Sequence, residues 1–120
     1  MKVLVVDDES DIRRVARLGL TRLGGCQVAE AQSGSEALER ALLDAPDVIL
    51  LDVMMPGQDG PSTLQALRAD ERTASIPVVF LTAKAMPAEV ERLTSLGARG
   101  VLTKPFDPRT LADQIRALLP

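Results

Sequence analysis

Short apolar runs alternate along the chain with stretches whose apolar residues recur at three and four. Lys2 to Val6 is rich in β-branched and apolar residues and stops at Asp7 and Asp8, which predicts a buried strand. Ile12, Val15, Ala16, Gly19, Leu20 and Leu23 then follow helical spacing up to a stop at Gly24 and Gly25. Cys26 to Ala31 reads as a short, weaker strand. Ser33 and Glu36 have the spacing of a capping box, which opens a helix with Ala37, Leu38, Ala41 and Leu42 on one face, closed by Pro46. Val48 to Leu51 is a strand apolar on both faces, with Asp52 at its exit and Pro56 and Gly57 barring its continuation.

Pro61 suits the first turn of a third helix, with Leu64 and Leu67 inward and residues 68–75 as a polar connection. Ile76 to Leu81 is a fourth strand ending at Thr82. Pro87 opens a helix carrying Val90, Leu93 and Leu96, and Gly97 stops it. Gly100 to Thr103 is a fifth strand ending at Lys104. Asp107 caps and Pro108 opens the last helix, with Leu111, Ala112, Ile115, Leu118 and Leu119.

Strands alternating with helices predict one α/β domain over residues 1–120, a parallel sheet with helices on both faces. Right-handed connections put every strand's carboxyl end on one edge, where open α/β sheets hold ligands. Taken alone, Asp52 is either a loop-starting cap or the reactive group of a site. The shared edge decides between them: Asp7, Asp8, Asp52, Thr82 and Lys104 all stand at strand ends there.

Composition narrows the chemistry. The chain has no His, Trp or Tyr, two Phe and one Cys, so the core is aliphatic. The missing histidine excludes His triads, His metal sites and His bases within the chain. Cys26 has no partner for a disulfide and reads as a small buried residue. A net charge of -3 argues against direct nucleic-acid binding. The first apolar run is too short for a signal peptide or membrane span, so a cytoplasmic location is expected. Arg13, Arg14, Arg17 and Arg22 read as a solvated helix face, and Gly57 and Gly60 as turn glycines.

Clustered carboxylates repel: unit charges about 4 Å apart interact by roughly 4 kcal/mol at an effective dielectric of about 20. Lys104 offsets one charge, which leaves room for a divalent cation. With oxygen ligands only, that cation is Mg²⁺, Mn²⁺ or Ca²⁺ rather than zinc. A carboxylate beside such a cation, a lysine and a hydroxyl meets the needs of an aspartyl phosphate.

Over its whole length the chain resembles a bacterial response-regulator receiver domain of the two-component type. The matching motifs are Val5-Val6-Asp7-Asp8-Glu9, Leu50 to Gly57, Leu81-Thr82-Ala83 and Leu102-Thr103-Lys104-Pro105-Phe106. The resemblance implies a flavodoxin-like (βα)5 fold with strand order 2-1-3-4-5. It implies that Asp52 accepts a phosphoryl group from a phosphohistidine on a sensor histidine kinase or histidine phosphotransfer protein. It implies Mg²⁺ held by Asp8, Asp52 and the Met54 backbone carbonyl, with Asp7 acting largely through metal-bound water. It further implies roles for Thr82 and Lys104 at the phosphoryl group, a cis bond between Lys104 and Pro105, and a downstream protein target met by the helix 4–strand 5–helix 5 face. The module is expected to act as a monomer or weak dimer and to catalyse only its own phosphorylation and dephosphorylation.

One position departs from the family. The Tyr or Phe expected three residues before the lysine is Val101, which cannot act as a rotating aromatic gate. Met54 and Lys84 occupy the positions that flank the attacking water in relatives. Three other readings compete: a receiver excised from a larger transcription factor or hybrid kinase, a phosphorylation-independent pseudo-receiver, and an aspartyl-phosphate hydrolase. The intact acids, Thr82 and Lys104 oppose the second. Met54, where a hydrolase wants a second carboxylate, opposes the third.

Overall fold

A computed structural model describes residues 1–120. Strand β1 is Lys2–Val6, β2 Gln27–Ala31, β3 Val48–Asp52, β4 Val78–Thr82 and β5 Gly100–Thr103. Helix α1 is Ser10–Leu18, α2 Gly34–Asp44, α3 Gly60–Ala69, α4 Pro87–Ser95 and α5 Leu111–Leu118. All strand pairs are parallel, in the order β2-β1-β3-β4-β5. This is the doubly wound, flavodoxin-like arrangement.

Side-chain alternation divides the core between the two sheet faces. Leu4, Val6, Ile49, Leu51, Val78 and Phe80 point toward α2, α3 and α4, where Ala37, Ala41, Leu64, Leu67 and Leu93 meet them. Val3, Val5, Val48, Leu50, Val79 and Leu81 point the other way, against Ala16 and Leu20 near α1 and Leu111, Ala112 and Ile115 of α5. β3 and β4 are buried along their whole length, as strands covered on both faces should be. The chain leaves β1 toward β2 on one side and returns to β3 on the other. Val6 pairs with Leu51, so the next residues, Asp7 just past β1 and Asp52 at the end of β3, stand side by side at this reversal of strand order.

Several local expectations shift. The last turn of the first helical segment, Gly19–Leu23, is π-helical. Its wide turn lies under the β5–α5 connection, where a Cβ on Gly19 would come within 2.4 Å of the Pro108 carbonyl oxygen. Val15, Leu23, Leu42 and Leu96, expected on inward faces, are exposed. Cys26 is buried but precedes β2 by one residue, and Ile76 and Pro77 lie ahead of β4. Ser33 caps α2 by accepting the Glu36 amide at 3.2 Å. Asp107 does not cap α5: it accepts the Arg109 amide and closes a separate turn, and the helix begins only at Leu111.

Gly57 is a turn glycine, with φ +79. Gly60 is not. It is the first residue of α3, seated against the exit of β3, where a Cβ would meet the Asp52 carbonyl oxygen at 2.5 Å and the Phe80 ring at 2.9 Å. Asp59 caps the same helix by accepting the Ser62 amide at 2.9 Å.

Candidate functional site

Parallel pairing carries three acids and one lysine to the same corner. Asp7 and Asp8 follow β1, and Asp52 ends β3. Lys104 follows β5, its amide donating to the Thr82 carbonyl at 2.8 Å. One carboxylate oxygen from each of Asp7, Asp8 and Asp52 lies within 4.8 Å of the others. Asp7 and Asp52 are 1% and 3% exposed, whereas Asp8 opens to solvent. The cluster thus has a buried floor and one outer carboxylate.

Lys104 reaches across it. Its Nζ stands 2.9 Å from Asp7 Oδ2 and 3.3 Å from Asp52 Oδ1. Burial alone would lower the Lys104 pKa, but the contacts with Asp7 and Asp52 outweigh it and hold the ammonium above its ordinary value. Burial, and secondly the Asp7 charge, push the Asp52 carboxyl up to about 6, against the opposing pull of Lys104 and the Met54 amide. That amide donates to Asp52 Oδ1 at 3.3 Å, while the Met54 side chain is 77% exposed. The bond between Lys104 and Pro105 is cis.

The donor set fits a small hard cation. Every candidate ligand is an oxygen. Asp7 Oδ2 is buried without a well-directed hydrogen bond, its contact with Lys104 being an ion pair. A single ammonium does not balance three carboxylates at this spacing, and a divalent ion at the open side near Asp8 would.

Thr82 is buried at the end of β4, but its hydroxyl is engaged within its own loop. Thr82 Oγ1 accepts the Lys84 amide at 3.1 Å and lies 3.4 Å from the Lys84 carbonyl. No bond joins it to the acids in this state. Val101 is half-buried in β5, opposite Phe80 of β4, and packs on the α2–α3–α4 side of the core.

Two contributors escape a linear reading. The Glu9 amide donates to Asp7 Oδ1 at 2.9 Å, turning the chain tightly after β1. Arg13, expected on a solvated face, is largely buried. Its Nη1 donates to the Asp7 carbonyl at 2.6 Å and its Nε to Glu30 Oε1 at 3.2 Å. Arg17 also pairs with Glu30, at 2.6 Å, while Arg14 and Arg22 are exposed as expected. The available signal was Glu30 itself, a carboxylate inside a strand pattern that needs a cation from the covering helix.

The fold and site define a doubly wound α/β module with three acids at the point of strand reversal and a lysine across from them. The chain belongs to the response regulator receiver domain family, whose model matches residues 3–116. It is 37% identical over 120 residues to the chemotaxis protein CheY1 of Helicobacter pylori strain J99, covering 99% of this chain and 97% of the relative. It is 40% identical over 118 residues to the transcriptional regulatory protein ResD of Bacillus subtilis, covering 98% of this chain and 48% of the relative. The chain therefore spans about half the length of several relatives and nearly all of others. The solved structure of the chemotaxis response regulator CheY4 of Vibrio cholerae superposes with a TM-score of 0.90 at 36% identity, covering 98% of both chains. Receiver domains act in two-component phosphorelays as signalling proteins rather than metabolic enzymes, and they bind Mg²⁺ at an acidic pocket. No helix here is long and apolar enough to cross a membrane.

Proposed function

We propose that this chain is a working receiver that accepts a phosphoryl group on Asp52. The observation that carries the reading is the placement of Asp52: buried at a strand end, 3.3 Å from a lysine and within a cluster of three carboxylates. The donor is a phosphohistidine on a sensor kinase or a histidine phosphotransfer protein. An Asp52 oxygen forms a bond to phosphorus while the phosphorus–nitrogen bond breaks. The departing imidazole keeps the electron pair and takes up a proton.

Asp8, Asp52 and the Met54 carbonyl are the residues to hold Mg²⁺, or Mn²⁺ in its place, with Asp7 acting through bound water. The ion supplies positive charge to the phosphoryl oxygens. Asp7 anchors Lys104, which offers its ammonium to a phosphoryl oxygen. Thr82 exchanges its contact with the Lys84 carbonyl for a hydrogen bond to another phosphoryl oxygen. Water attack at phosphorus later breaks the bond to the Asp52 oxygen, releases phosphate and restores the carboxylate. The helix α4–β5–α5 face then meets the downstream protein. The same chemistry serves a freestanding module or one joined to an output domain, the arrangement that the half-length match to ResD suggests.

Intact-mass analysis after treatment with Mg²⁺ and acetyl phosphate tests the reading. One added phosphoryl group is expected, absent without Mg²⁺ and absent in Asp52→Asn. Labelling of Asp52→Asn at the wild-type rate would sink it.

A further inference from the structure

β1 ends at Val6, which pairs with Ala31, the last residue of β2. The Asp7 amide still reaches the Ala31 carbonyl at 3.1 Å, but β2 then turns away. The Asp7 carbonyl therefore has no ladder partner, although it lies beneath a turn that must hold two acids close together. Arg13 supplies the missing donor at 2.6 Å. Its own position is set by Glu30, which receives Arg13 on one carboxylate oxygen and Arg17 on the other. The Arg13 side chain is only 15% exposed, so this is a fixed strut rather than a fluctuating surface pair.

We propose that Arg13, held by Glu30, is a positioning residue for the acidic site. It clamps the Asp7–Glu9 turn against the repulsion among Asp7, Asp8 and Asp52 and so sets the affinity for the divalent ion. The inference rests on the phosphoryl-receiver reading for the identity of the ion but not for the clamp. Arg17 is the internal control: it binds the same Glu30 carboxylate and makes no bond to Asp7. Partners that orient metal ligands typically carry about 10–100-fold in metal affinity.

The test uses the whole chain, Mn²⁺ titration by calorimetry and amide exchange in the metal-free state. The chain has neither Trp nor Tyr, so these readouts replace intrinsic fluorescence. Arg13→Met should weaken Mn²⁺ binding roughly tenfold and speed exchange of the Glu9 amide, which bonds Asp7 Oδ1. Arg13→Lys, which cannot span both partners, should fall between Arg13→Met and wild type and stands in if Arg13→Met fails to fold. Arg17→Met should leave both readouts within about twofold. Equal effects of Arg13→Met and Arg17→Met, or none from Arg13→Met, would overturn the clamp. A wild-type chain that binds no Mn²⁺ would overturn both the receiver reading and the affinity claim. A fast Glu9 amide in Arg13→Met alone would even then retain the clamp as a fold device.

Discussion

Lys104 Nζ lies 3.3 Å from Asp52 Oδ1, and this contact leaves Asp52 as a carboxyl that still titrates near pH 6. Burial and the Asp7 charge outweigh the lysine. The ordinary carboxyl value is 3.8, so between about pH 4 and about pH 6 the folded chain keeps a proton on Asp52 that the unfolded chain has released. A raised folded-state value makes stability fall as pH rises through that window. Metal-free thermal unfolding in chelator should show this decline, and Asp52→Asn should flatten it. At pH 7 the asparagine variant should be the more stable by an amount of order 1 kcal/mol. A variant less stable than wild type at pH 7 would contradict the repulsive cluster.

A divalent ion held at the acidic cluster of the folded chain would relieve the same repulsion and stabilise that state by mass action. At a hundredfold excess over its Kd, Mg²⁺ should add about 2.7 kcal/mol to the unfolding free energy. Urea titrations with and without Mg²⁺ measure the gain. Asp8→Asn removes the solvent-facing carboxylate and should lose most of the gain at the same Mg²⁺ concentration, with a smaller metal-free gain than that expected of Asp52→Asn, because Asp8 opens to solvent.

Activation should travel through the Thr82 loop. Thr82 Oγ1 is tied to the Lys84 amide at 3.1 Å, so moving the hydroxyl toward Asp52 disturbs residues 83–87 and the start of α4. Val101 is too small to fill the space that this motion leaves. With beryllofluoride as phosphoryl mimic, NMR shift changes should concentrate at residues 52–60 and 82–97, with β5 around Val101 quiet. The opposite distribution would refute this route. Val101→Tyr should alter how partner affinity depends on phosphorylation; no change would make residue 101 plain core packing.

Gly60 gives a structural test of the site's floor. An alanine there drives its Cβ against the Asp52 carbonyl and the Phe80 ring. Gly60→Ala should cost about 1–3 kcal/mol of stability in urea melts. Gly57→Ala should cost about 1–2 kcal/mol, through its positive φ alone, because a Cβ there meets nothing within 4 Å.

The strands and the residues at their ends were legible from sequence because both signals are local. Apolar runs such as Val48 to Leu51 mark buried strands, and an Asp, Thr or Lys at the exit marks the edge. Parallel pairing then follows from the alternation with helices, and the corner holding Asp7, Asp8, Asp52 and Lys104 follows from the pairing. The strand order itself came from resemblance, and the pairing of β1 with both β2 and β3, and of β4 with β3 and β5, bears it out.

Other features depend on contacts between distant segments. Arg13 looked like any exposed helix arginine until Glu30 and the Asp7 carbonyl stood beside it. Gly60 resembled a turn glycine, yet it is required by the approach of α3 to β3. The π turn at Gly19–Leu23 lies where Pro108 crowds it, and α5 starts late because Asp107 serves a nearer amide. Hydrophobic period and strand-end chemistry are properties of a few neighbouring residues. Which carbonyl lacks a donor, and which Cβ lacks room, are settled only when the elements close on one another.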